Sequence, residues 1–122
     1  MRCRDTQQMV LSNACFQDLI ISSKGDSFTF PEGQAYVQDC LFENIRFEEP
    51  GALLGISWDH TQLRNFRFKD IHFAAGVNKG LLRGSADGIS IENVRIVDRP
   101  AASAADLKLT FEGDAKNVRY RP

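Results

Sequence analysis

Apolar side chains recur along this chain in a pattern that repeats about every 25 residues. Three copies of the pattern align without gaps, a fourth copy follows them, and a fifth is degenerate. The first two intervals between copies are 26 residues, the third is 23 and the fourth is 24. The central residues of the copies are Phe16, Phe42, Phe68, Ile91 and Ala115. Self-similarity at this period is typical of solenoid proteins.

Each copy contains two short apolar alternations separated by one polar position. Positions −2, 0, +3 and +5, counted from the central residue, are almost wholly apolar. The period of two predicts strands, and the slip of one residue between positions 0 and +3 predicts a bend. Asp and Asn tolerate the left-handed conformation that such a bend needs, and stacked amides can hydrogen-bond from copy to copy. Position +2 holds Asp18, Asn44, Asp70, Asn93 and Asn117.

The pattern favours an all-β fold, a right-handed parallel β-helix of about five coils of 23–26 residues. A second apolar segment in each period, bounded by Gly and Pro, supplies the returning strand. A β-sandwich is the alternative, but its surface turns would not keep one residue class at a fixed phase. No stretch has a convincing helical period, and we expect residues 101–105 to form a loop or a single turn. The right-handed winding rests on the usual crossover preference.

We expect residues 1–122 to form a single β-helix segment with two open ends. Open ends expose backbone edges, which folded proteins normally cover. The chain is therefore predicted to be a piece of a longer β-helix. The alternative is a complete protein that forms a homo-oligomer through its open ends.

Composition places the chain among globular proteins and excludes several functions. It is 43% hydrophobic and 25% charged, and its net charge of −1 argues against a nucleic-acid partner. It has no apolar run long enough to cross a membrane as a helix and no signal peptide, so no membrane association is expected. Three cysteines, Cys3, Cys15 and Cys40, give no disulfide framework and no metal-ligand spacing. Neither a metal nor a cofactor is predicted.

The repeat Asn-x-x-Phe-x-(Asp/Asn)-Ile-x-Phe resembles the coils of pectin-lyase-like right-handed parallel β-helices. It is most similar to the C-terminal coils of polygalacturonase-type glycoside hydrolases, above all in residues 85–96. The resemblance covers residues 10–98 and, more weakly, the remainder to residue 120. It implies that the chain is the C-terminal part of the longer β-helix of a polysaccharide-processing enzyme, with a pectin- or polygalacturonate-like substrate and a secreted or periplasmic location.

The catalytic motifs of that family do not accompany the resemblance. Asn-Thr-Asp, Asp-Asp and Gly-His-Gly are absent, and residues 86–88 are only a partial echo of the first. An inverting glycosidase needs two carboxyl groups about 6.5–9.5 Å apart. We therefore assign no catalytic residue and expect the chain by itself to be inactive. The alternative function is a non-catalytic carbohydrate-binding or self-assembling module, similar to those of tail spikes and adhesins.

One triplet combines an aromatic, an acidic and an imidazole side chain: Trp58, Asp59 and His60. The indole can stack on a sugar ring while the two polar groups bond hydroxyls. The alternative is a turn in which Trp58 packs at a corner and Asp59 caps it.

Position +4 faces outward and is mostly basic, which would suit the carboxylates of an acidic polysaccharide. Arg67 lies beside this stripe. The alternative is that Glu43 and Glu92 neutralise it. The members of position +4 are Ile20, Arg46, His72, Arg95 and Arg119.

Asp87 and Arg83 lie in a glycine-rich segment, residues 76–88. Loops on rigid scaffolds often carry ligand-binding groups, so Asp87 is a further candidate. The alternative is a glycine-rich corner with solvated charges.

Overall fold

The computed structural model describes residues 8–22, 25–26, 29–30, 34–56 and 61–122, which form a parallel β-solenoid of about four turns. Every regular element in this part of the chain is a strand. The strands are β1 (Gln8–Ile21), β2 (Gly25–Asp26), β3 (Thr29–Phe30), β4 (Gln34–Phe47), β5 (Gly51–Ala52), β6 (Gly55–Ile56), β7 (Thr61–Phe73), β8 (Gly80–Leu82), β9 (Ser85–Ile96), β10 (Arg99–Pro100), β11 (Leu109–Phe111) and β12 (Ala115–Arg121).

The long strands stack in parallel in the order β1, β4, β7, β9. On the edge of β9 that faces away from β7, β12 pairs with the first part of β9. Phe16, Phe42, Phe68 and Ile91 lie opposite one another in successive strands, as the sequence repeat predicted. The short strands β3, β6, β8 and β11 form a second parallel sheet on the returning side of each turn, and β2 pairs with β5. The all-β solenoid architecture is thus confirmed, and the right-handed winding stays a prediction.

Each complete long strand bends twice, at residues with positive φ. We call the part before the first bend facet A, the part between the bends facet B, and the part after the second bend facet C. Asp and Asn dominate both bends because they tolerate this conformation better than other non-glycine residues. The first-bend residues are Asn13, Asp39, Asn65, Gly88 and Asn117, with φ of 56, 56, 53, 85 and 55°. The second-bend residues are Asp18, Asn44, Asp70 and Asn93, with φ of 56, 54, 56 and 49°.

Side-chain amides link the bends of neighbouring turns. Asn44 donates from Nδ2 to Oδ1 of Asp18 at 2.7 Å, and Asn93 donates in the same way to Asp70 at 2.7 Å. The sequence predicted only this second-bend ladder. The first bend carries an equivalent bond between other residues: Asn65 Nδ2 donates to Asp39 Oδ1 at 2.8 Å.

The inward columns form one continuous core. The Phe16, Phe42 and Phe68 rings stack with centroids 5.0 Å apart at each step, and Phe47 stacks on Phe73 at 4.7 Å. Burying each such ring contributes about 1.5–3 kcal/mol. The column assignments for these phenylalanines are confirmed, and alternation with bends keeps the same face inward along all three facets.

The predicted alignment of the fifth copy was wrong by five positions. Tyr120, and not Ala115, lies opposite Ile91. Asn117 is therefore a first-bend residue and not the fifth member of the second-bend ladder, and Arg119 lies opposite Ser90 rather than Arg95. The error has a physical cause: the bends are five residues apart, and each is followed by the same apolar-x-apolar pattern, so a five-residue slip superimposes one bend on the other.

We call the β1 end of the stack its lower end and the β12 end its upper end. At the upper end of facet C, the strand that pairs with β9 is β10 and not β12. β10 runs antiparallel to the end of β9, with Arg99 opposite Ile96 and Pro100 opposite Arg95. The chain then forms turns through residues 103–108, as expected for the alanine-rich segment, and Ala101 and Leu107 are buried in the core. This detour replaces a fifth complete coil and delays the start of β12.

Candidate functional site

Gly88 interrupts the first-bend ladder between Asn65 and Asn117. Its φ of 85° suits glycine, and a Cβ at this position would meet only backbone atoms of Asn65, the nearest at 3.6 Å. Because no side chain stands at this step, Asn117 Nδ2 donates instead to Oδ1 of Asp87, one residue earlier, at 2.8 Å. The missing side chain leaves a notch in the outer surface at the start of facet B.

The notch belongs to an open groove of about 490 Å³, a size within the range of small-ligand sites. Arg67, Ser90 and Arg119 lie opposite one another on three successive strands, β7, β9 and β12. Adjacent strands are about 4.8 Å apart. The backbones of Arg67 and Arg119 therefore lie on opposite sides of Ser90 and are separated from each other by about twice that distance. The lining residues are Asn65, Arg67, Asp87, Gly88, Ile89, Ser90, Asn117, Arg119 and Arg121.

Three guanidinium groups of this groove, those of Arg67, Arg119 and Arg121, have no hydrogen bond or ion pair with another described residue. All three residues are exposed. The lining contains one carboxylate, Asp87, whose Oδ1 already accepts the bond from Asn117. The groove therefore presents unpaired positive charge, and a guanidinium fork matches carboxylate, sulfate or phosphate oxygens.

The arginines of facet C are engaged within the protein. Arg46 Nη1 lies 3.0 Å from His72 Nδ1, and His72 Nε2 lies 2.9 Å from the carbonyl oxygen of Val97. A guanidinium only donates, so Nδ1 is the acceptor and Nε2–H donates to Val97. Arg95 donates to the carbonyl oxygen of Asp98 at 3.4 Å. Three members of the predicted basic stripe, Arg46, His72 and Arg95, are therefore bonded to one another or to the turn that precedes β10.

The predicted site residues thus fall into separate places. Arg67 and Asp87 line the groove on facets B and A, and Arg46, His72 and Arg95 lie together on facet C. Arg83, from the same glycine-rich segment as Asp87, pairs with Glu112 at 2.9 Å.

The predicted triplet Trp58, Asp59 and His60 lies outside the described residues.

Sequence reasoning missed two groups of the groove. Arg119 was assigned to the wrong column, and Arg121 was not considered. The odd member of the first bend, Gly88 among Asn and Asp residues, was the available signal for a notch. Its meaning depends on the register of β12, which the repeat pattern left ambiguous.

Among the described residues, no three His, Cys, Asp or Glu side chains are grouped so that they could hold a metal ion. The same residues contain no helix long and apolar enough to cross a membrane.

Comparison of the chain with models of protein families, with curated proteins and with solved structures gives no match.

Proposed function

We propose that this β-solenoid binds an acidic polysaccharide, of the pectin or polygalacturonate type, in the groove beside Gly88. The observation that carries the proposal is the convergence of three unpaired guanidinium groups, those of Arg67, Arg119 and Arg121, on one open groove. The resemblance of the repeat to polygalacturonase-type coils supports the choice of a carboxylated glycan. We infer that the chain is a non-catalytic, carbohydrate-binding β-helix module.

The groove suits a chain of sugars better than a single small ligand. It is open along the outer surface, and its cationic groups recur on strands rather than surrounding one point. A linear polyuronate carries one carboxylate per sugar, so several carboxylates can meet several guanidinium groups. Ser90, half-buried between Arg67 and Arg119, offers a hydroxyl to a sugar oxygen.

Binding is tested by titrating polygalacturonate oligosaccharides into the protein, with neutral methyl-esterified oligosaccharides as the ligand control. The double variant Arg67→Ala/Arg119→Ala should weaken binding at least about ten-fold, since a charge-assisted hydrogen bond contributes about 1.5–3 kcal/mol. The matched control is Lys79→Ala/Arg99→Ala, which removes the same charge from exposed positions outside the groove. It should change affinity less than about two-fold at physiological ionic strength.

Two results would overturn the proposal. One is equal weakening by the groove variant and by the control, because net charge alone would then explain binding. The other is equal affinity of the parent protein for the esterified and the acidic oligosaccharides.

We expect the groove to bind the glycan without cleaving it. Hydrolysis needs a proton donor and a second carboxylate around one bond, and the groove is lined by Asp87 as its single carboxylate. We expect no release of reducing sugar from polygalacturonate. Release that is abolished by Asp87→Asn or by Asp59→Asn would show instead that this chain contains an active site.

A further inference from the structure

The two end strands of the solenoid each have an edge that pairs with no other strand in the described part of the chain. These are the lower edge of β1 and the upper edge of β12. We propose that copies of this chain associate head to tail, with β12 of one copy stacking in parallel on β1 of the next. The solenoid would then continue from one copy into its neighbour.

Matching bends are the first support for this arrangement. β12 bends at Asn117 with φ 55°, and β1 makes its first bend at Asn13 with φ 56°. Within the solenoid, first-bend residues lie one above another in successive turns. Placing Asn117 of one copy over Asn13 of the next continues that column, and the flanking residues then pair in the register already used four times.

The inward columns also continue across the junction. In this register Ala115, Val118 and Tyr120 lie over Leu11, Ala14 and Phe16. All six are half-buried at the ends of the core, whereas their equivalents in the middle turns are almost fully buried. Apolar area left open at both ends would be removed from water, which is the main favourable term in association.

Outward groups do not oppose the stacking. Lys116, Arg119 and Arg121 of one copy would lie over Ser12, Cys15 and Gln17 of the next, in that order. The three β1 residues are uncharged, so no like charges are brought together. A strongly basic row over another basic row would have been unfavourable.

Facet C provides an independent observation. Three of the four exposed large apolar side chains among the described residues lie at the two ends of this facet: Leu19 and Ile20 at its lower end, exposed by 41% and 67%, and Val97 at its upper end, exposed by 52%. The fourth, Tyr36, lies on facet A of β4. Head-to-tail stacking brings these two ends of the facet together. Exposed apolar groups at both ends of one facet fit a partner that repeats the same structure.

A symmetric pair formed by two β1 edges does not fit the bends. Antiparallel pairing must place inward residues opposite inward residues, for example Ala14 opposite Phe16 of the partner. Asn13 then lies opposite Gln17, and Asp18 lies opposite Ser12. Each bend residue, with its left-handed conformation, would face an extended residue of the partner. The bends of the two strands would not coincide, so the two edges would not stay paired.

The register is tested by intermolecular disulfide formation. The exposed thiol of Cys15 should lie beside position 119 of the neighbour, with Cα atoms about 4.8 Å apart, inside the range for a disulfide. In a Cys3→Ser background, mild oxidation of Arg119→Cys should give a ladder of covalent multimers on a non-reducing gel. The matched control is Arg121→Cys, two residues further along, where the Cα separation of about 8 Å exceeds disulfide reach.

Sedimentation of the unmodified chain provides the second measurement. Its mass should rise with concentration above the 13.7 kDa of one chain, because a heterologous contact does not close on itself. Leu19→Lys should reduce this rise without unfolding the protein, since the side chain lies at the exposed end. A single-chain mass at every concentration would overturn the proposal, and so would equal cross-linking of Arg119→Cys and Arg121→Cys.

Discussion

Asn44 offers a sharp test of the bends, because its neighbour Glu43 should respond in the opposite order. Asn44 has φ 54° and donates to Asp18 at 2.7 Å, while Glu43 is extended and faces outward between Gln17 and Lys69. We compare Gly and Val at each position. The free energy of unfolding, measured by denaturant titration, gives the order.

At position 44, both substitutions lose the same hydrogen bond, which contributes about 0.5–1.5 kcal/mol. Val additionally carries the strain of a left-handed conformation, roughly 1–2 kcal/mol for an ordinary residue and more for a β-branched one. Asn44→Val should therefore be less stable than Asn44→Gly by at least about 1 kcal/mol. The lost amide cancels in this comparison.

At position 43 the order should invert. Glycine weakens a strand interior by roughly 0.5–1 kcal/mol, and valine is favoured there. Glu43→Gly should thus be less stable than Glu43→Val. If valine were the better substitute at both positions, or if the two substitutions at Asn44 were equal, a left-handed bend at this residue would be refuted.

Three further predictions concern the interior. Phe42→Ala should lower stability by about 3–5 kcal/mol, because the ring is 3% exposed and stacked at 5.0 Å on both sides; a melting temperature within a degree or two of the parent would contradict this. Thr61→Val should raise stability by about 1 kcal/mol, since the buried Thr61 hydroxyl has no hydrogen-bond partner among the residues that the structure describes. Thermal melting measures the change, and a clear loss of stability would show that the hydroxyl is satisfied. Burial raises the pKa of the Cys40 thiol, so less thiolate forms at pH 8. Iodoacetamide should therefore label exposed Cys15 in the folded protein, and Cys40 only after unfolding. Mass spectrometry of the labelled peptides gives the order of labelling, and labelling of Cys40 before Cys15 would contradict the prediction.

The sequence by itself determined the repeating unit. The strands, the second bend and the inward columns follow from local patterns, because alternation and a bend-forming residue act within a few positions of each other. The register of the first four long strands followed as well: with nearly equal intervals, aligned Phe42 and Phe68 must stack. The first bend was present in the sequence as Asn13, Asp39 and Asn65 and was overlooked.

Only the tertiary structure decided the last turn and the groove. Both bends have the same local pattern, so the length of the detour through β10, and not the pattern, sets which bend Asn117 occupies. That register places Arg119 beside Ser90 and Arg67, while contacts between turns engage Arg46 with His72. Sequence spacing identifies arginines on a surface. Whether each guanidinium is paired depends on groups from other turns, which local patterns do not specify.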